Sequence, residues 1–142
     1  MNTMKRTILL LIFLMGFIIQ GAFGQADLSE TKENETTSLG IVIYSNDIET
    51  VWNAMRFANF SKNQGDVVSI FLLGKGVELD DLAKTDEDIK YQTDTFLENG
   101  GEIMGCGTCL QSRKNNEPQV CKYSSMKDLY ELVHKNDIVL TF

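Results

Sequence analysis

The sequence predicts an α/β fold in three layers: a mostly parallel sheet with helices on both faces, occupying residues 39–142. Three observations carry this expectation. Apolar runs at residues 39–44, 67–73 and 138–142, and a shorter one at 102–104, match strands; the first two lack strict alternation, as strands buried on both faces do. The stretches between them space apolar residues at helical intervals. Strand and helix patterns then alternate along the chain, the signature of parallel strands joined by helical crossovers.

The chain opens on a segment that reads as a signal peptide, residues 1–24. Lys5 and Arg6 precede an apolar run from Ile8 to Ile19, broken only by Gly16, and Ala22-Phe23-Gly24 supplies small residues for cleavage before Gln25. The run is shorter than the ~20 residues a membrane span needs, so no stable membrane insertion is expected after cleavage. No cysteine stands at the cleavage point to take a lipid anchor. The expected location is periplasmic or secreted. Removing residues 1–24 leaves 118 residues, enough for one domain with a core. Net charge moves from −7 to −9, which excludes a basic nucleic-acid groove. A mild acidic cluster from Glu78 to Asp88 reads as a solvated face.

Residues 25–38 read as a flexible N-terminal segment, with only Ala26 and Leu28 apolar before Thr37. The first strand, 39–44, leads into Ser45-Asn46-Asp47, which offers several N-cap groups. A helix over 48–63 places Val51, Trp52, Met55, Ala58 and Lys62 at helical spacing, and Phe57 and Phe60 widen its apolar stripe. Gly65 stops it. The second strand, 67–73, ends in the turn Gly74-Lys75-Gly76. Residues 77–82 suit one short helical turn. Thr85 with Asp88 forms a capping box for a helix to about Glu98, with Ile89, Thr93, Phe96 and Leu97 facing inward. Asn99-Gly100-Gly101 ends it.

Glu102-Ile103-Met104 is the third strand, arriving at Cys106. A short helix carrying Cys109, Leu110 and Arg113 follows, and Asn115-Asn116-Glu117-Pro118 breaks it. Gln119-Val120-Cys121 suits a fourth, short extended piece. Ser125 with Asp128 opens a last helix to about Lys135, with Met126, Leu129, Tyr130 and Val133 expected to face in. Residues 138–142 close the chain as a strand.

In open α/β sheets, ligands sit beyond the carboxyl ends of the strands. Three loops should meet there: 45–47, 73–76, and Gly105 to Cys109. The last carries Cys106 and Cys109 as a C-x-x-C. With Cys106 following the strand directly, the amides of the next helical turn should point at its sulfur and lower its pKa from about 8.5. Cys109, one turn on, is placed to resolve a mixed disulfide or persulfide. The pair alone also suits a redox couple, half a metal site or two inert packed thiols. Zinc would need two more ligands, and neither Cys121 nor His134 stands at a common zinc spacing. Three clustered cysteines do not make a disulfide scaffold, which leaves Cys121 as a third redox partner, a packed small side chain or an intermolecular thiol. Arg113 suits steering an anionic sulfur species. His134 reads as a surface histidine of the last helix, and Trp52 with Phe57 and Phe60 as core or oligomer interface. Neither G-x-G-x-x-G nor the P-loop is present, and no organic cofactor or metal is implied.

Four blocks in order resemble the DsrE/DsrF-like family, the sulfur-relay proteins that include DsrE and TusD. They are 41–47, 67–74 with Gly76-Val77, Gly105 to Arg113, and Ser125-Met126-x-x-Leu129 with Asp137-x-Val139-Leu140-Thr141-Phe142. The resemblance implies a flavodoxin-like α/β domain assembling into homo- or hetero-oligomers such as trimers or hexamers. It also implies a cysteine after the third strand, here Cys106, that accepts persulfide sulfur and passes it to a protein partner. Arg113 matches the family's following basic residue, and Cys109 a second cysteine found in a subset. The export segment departs from the relay members, which mostly serve cytoplasmic pathways. The expected function is therefore exported sulfur handling through Cys106, assisted by Cys109. Thiol–disulfide exchange and a non-catalytic ligand-binding or assembly subunit are the alternatives.

Overall fold

The computed structural model describes residues 36–142. The expected signal peptide and most of the expected flexible segment lie outside the described residues. Five strands form one sheet: β1 Ser38–Ile43, β2 Val67–Leu72, β3 Glu102–Cys106, β4 Lys122–Ser124 and β5 Ile138–Thr141. Their order is β4-β3-β2-β1-β5, and every pairing is parallel. The helices are α1 Ile48–Asn63, α2 Leu79–Thr85, α3 Glu87–Glu98, α4 Gly107–Ser112 and α5 Met126–Lys135, with a 3₁₀ turn at Gly74–Glu78 before α2.

Topology decides which helix lies where. From β1 to β4 the chain steps across the sheet in one direction, so right-handed crossovers place α1 through α4 on one face. The step from β4 to β5 runs the other way and puts α5 on the opposite face. Side chains agree with this division. Ile41, Ile43, Ile70, Leu72 and Ile103 are buried toward the first face, where Val51, Ala54, Met55, Ile89 and Phe96 complete the core. On the second face Leu132 of α5 packs over Gly40, where a Cβ would meet its Cδ2 at 2.6 Å. With a single helix on that side the cover is incomplete: Val67 is exposed and Met104 half-buried, beside an open groove of about 400 Å³ between α5 and the sheet.

Several boundaries differ from the sequence expectation, each for a local reason. The cap of α3 is Asp86, whose Oδ1 accepts from the Ile89 amide at 2.9 Å, not a box of Thr85 and Asp88. Thr85 belongs to α2 and donates its hydroxyl to the Asp81 carbonyl. The short turn expected at 77–82 is the end of the 3₁₀ turn running into α2. The fourth strand begins at Lys122 rather than spanning 119–121, because the amides of Gln119 and Val120 are already donated to Asp80 Oδ1, at 2.7 and 3.0 Å. The capping box of Ser125 and Asp128 is present at α5. The inward face of α5 is offset, however: Leu132 is buried and Leu129 half-buried, whereas Met126, Tyr130 and Val133 are exposed.

The C-terminus is tied into the sheet. Phe142 donates its amide to the Val42 carbonyl and accepts from the Tyr44 amide, at 2.9 and 2.8 Å. At the other end of this strand pair, Asp137 accepts from the Ser38 amide and hydroxyl, at 2.9 and 2.6 Å.

Candidate functional site

The carboxyl ends of β1, β2 and β3 bring three loops together, as the parallel arrangement requires. The Leu73 amide donates to the Ile43 carbonyl at 2.9 Å and keeps the β2 exit against β1. Asp47 caps α1 through the Thr50 amide and hydroxyl, at 2.9 and 2.8 Å, so its role is structural. Asn46 turns the other way and donates from Nδ2 to Glu78 Oε2 at 2.7 Å.

Cys106 is both the last residue of β3 and the N-cap of α4. It is only 3% exposed. The amides of Thr108 and Cys109, at the start of α4, favour its thiolate, as the sequence spacing predicts, but no side-chain hydrogen bond from Cys106 caps the helix, and the Cys109 thiol is its neighbour. The net electrostatic effect is opposite to the expected one. Burial, followed by the neighbouring Cys109 thiol, pushes the Cys106 thiol up, and the two amides pull it only part of the way back. A helix of six residues has a weak dipole to oppose that desolvation. Cys109 is half-buried, and all three cysteines carry free thiols.

Cys121 packs against the strand just before the pair: its sulfur lies 2.6 Å from where a Cβ on Gly105 would stand. Burial, with Asp80 nearby, raises its thiol to about 11. Its chemistry is that of a packed small side chain.

Arg113 closes α4 at its C-cap. Its Nε donates to Glu78 Oε1 at 2.7 Å, and its Nη1 to the Cys109 carbonyl and the Ser112 hydroxyl, both at 3.3 Å. The guanidinium therefore holds a carboxylate and a backbone carbonyl rather than a sulfur. Arg113, then Asn46, holds the Glu78 carboxyl below its ordinary range, with Lys75 contributing at longer reach.

Two residues of this region escaped the sequence reading. Glu78 joins the β1 exit to α4, and Asp80, 2% exposed, clamps the segment before β4 through the Gln119 and Val120 amides, Asn115 Nδ2 at 3.2 Å and Lys84 Nζ at 3.1 Å. The acidic cluster read as a solvated face thus contains a buried hub. His134 lies on α5, stacked on Tyr130 with ring centroids 3.9 Å apart and Nδ1 2.9 Å from the Tyr130 carbonyl. Trp52 is half-buried under the Arg56 guanidinium, 4.2 Å from the ring centroid, and Phe57 and Phe60 are exposed. Among the described residues no three His, Cys, Asp or Glu side chains converge as metal ligands, and no helix is long and apolar enough to cross a membrane.

A parallel α/β sheet ending in a cysteine turn defines the class. The DsrE/DsrF-like family profile matches residues 38–142, and the chain belongs to that family, which associates it with sulfur relay. An uncharacterized protein of Methanopyrus kandleri, MK0008, is 28% identical over 100 residues, covering 66% of this chain and 83% of that protein. The fold is shared with the ychN protein from E. coli, at a TM-score of 0.63 and 18% identity over 75% of this chain and 99% of that one. It is shared also with BT1422 of Bacteroides thetaiotaomicron, a conserved protein of unknown function, at 0.60 and 22% over 75% and 95%.

Proposed function

We propose that the protein handles sulfane sulfur through Cys106, with Cys109 as assistant, and does so outside the cytoplasm. The observation that carries this reading is the cysteine turn itself. Cys106 ends the third strand at the carboxyl edge of a parallel sheet, with two amides that favour its thiolate and a second thiol as its neighbour. The Cys106 thiolate would attack the terminal sulfur of a donor persulfide, forming the Cys106 S–S bond and releasing the donor thiolate. An acceptor thiolate attacking the same terminal sulfur would carry it away and restore Cys106. If Cys109 attacks the inner sulfur instead, hydrosulfide leaves and a Cys106–Cys109 disulfide remains. Donor and acceptor are thiol or persulfide proteins, and no cofactor takes part in these steps. Residues 1–24 supply the export address, and the periplasm or the secreted space is its destination.

A homo-oligomer, trimer or hexamer, accompanies this reading. Met126, Tyr130 and Val133 form an exposed apolar stripe along α5. Such a stripe on one helix marks a protein contact more readily than a ligand site.

A second reading draws support from one observation. A cysteine 3% exposed and raised in pKa is a poor nucleophile, which suits a non-catalytic assembly subunit. Polysulfide treatment separates the two. Intact-mass analysis after alkylation detects each added sulfur as about 32 Da; a carrier gains it at Cys106 and a scaffold does not.

A further inference from the structure

The six-residue α4 is too short to hold its own geometry, yet its first turn supplies both amides that face the Cys106 sulfur. Its far end is fastened by a chain of hydrogen bonds from another loop. Asn46 Nδ2 donates to Glu78 Oε2 at 2.7 Å, Glu78 Oε1 accepts from Arg113 Nε at 2.7 Å, and Arg113 Nη1 donates to the Cys109 carbonyl at 3.3 Å. The Cys109 backbone is thus held through its carbonyl on Arg113, one turn from Cys106 at the N-cap. We propose that Glu78 is a positioning residue of the cysteine turn, holding the Cys109 carbonyl through Arg113 and so fixing the first turn of α4 against Cys106, its N-cap residue. The inference rests on Cys106 being the working residue.

Charge alone does not account for the connection. The Cys106 thiol is shifted chiefly by its burial and by Cys109, whereas Arg113 and Lys75 act on Glu78. Glu78 therefore reaches the sulfur by geometry. Weakening the turn lets the Thr108 and Cys109 amides, which favour the thiolate, move away, so the Cys106 thiol moves further up.

The test is the pH dependence of iodoacetamide modification of Cys106 in the full mature chain, read by peptide mass spectrometry, with no sulfur donor present. The inference predicts that Glu78→Ala raises the midpoint by about 0.5 pH unit or more, and that Glu78→Gln, which still accepts from Arg113, raises it less. Arg113→Ala should reproduce the shift, and the double variant should add nothing to it, because both residues act in one chain. Asn46→Ala, remote from the cysteines, gives a smaller shift in the same direction and serves if Glu78→Ala does not fold. Profiles that superimpose on the wild type in folded variants overturn the proposal, as do additive shifts in the double variant. Because no sulfur transfer is measured, failure here is distinct from failure of persulfide formation.

Discussion

The carbonyl oxygen of Ile43 occupies the place where a side chain at position 76 would begin: a Cβ built on Gly76 falls 2.0 Å from it. The turn after β2 is pressed onto the end of β1, and the neighbouring Leu73 amide bonds to the same carbonyl. Only a residue without a Cβ lets Glu78 and Asp80, just downstream, reach their partners from this position.

Gly76→Ala should therefore cost about 3 kcal/mol, because the obstacle is backbone and cannot rotate away. Gly105→Ala should cost less, since the atom its Cβ would meet is the Cys121 sulfur, a side-chain end. Urea denaturation of both variants gives the comparison directly. Equal midpoints would contradict the tight approach at Gly76.

Asp80→Ala leaves the Gln119 and Val120 amides without their acceptor and should lower stability by about 2–4 kcal/mol. The same carboxylate makes stability depend on pH. Burial acts to raise its pKa, but the Gln119 amide, Lys84, the Val120 amide and Asn115 together hold it below its ordinary 3.8. Its folded value being depressed, its stabilisation is complete above 3.8 and is lost as pH falls through the folded value. Urea midpoints measured from about pH 6 downward should fall more steeply for the wild type than for Asp80→Asn. Parallel curves would remove Asp80 from the account.

Thiol reactivity should follow burial and environment. With the Cys121 thiol raised to about 11, brief iodoacetamide treatment of folded protein near pH 8 should leave Cys121 unmodified, while unfolded protein labels at all three cysteines. Cys106 should label slowly at neutral pH and gain about tenfold in rate for each pH unit up to its raised pKa. Rapid labelling of Cys106 at pH 6 would mean that the amides of α4 outweigh its burial.

The apolar stripe on α5 gives a fourth test. Light scattering of residues 25–142 should report a mass three or six times that of the chain, and Val133→Asp should reduce it. A monomeric wild type at high concentration would contradict the proposed assembly.

Much of this arrangement is legible from residue order. The buried runs at β1 and β2, the caps Asp47 and Ser125, and the position of Cys106 at the β3 exit follow from patterns that act over a few residues. What was not legible depends on contacts between distant segments. Asp80 looks like any acidic residue at the start of a helix until the loop at 119–120, some forty positions away, wraps over it. The inward face of α5 is set by the space above Gly40, so Leu132 displaced the equally apolar Met126, Tyr130 and Val133. The rise in the Cys106 thiol likewise reflects desolvation, which a C-x-x-C spacing does not encode.

The central claim rests on sulfur at one cysteine, and polysulfide trapping addresses it most directly. Reduced protein comprising residues 25–142 is treated with polysulfide, alkylated and weighed intact and as peptides. The account predicts an adduct of about 32 Da at Cys106 that survives in Cys121→Ser and disappears in Cys106→Ser. A wild-type protein that gains no sulfur, or gains it equally in Cys106→Ser, contradicts it.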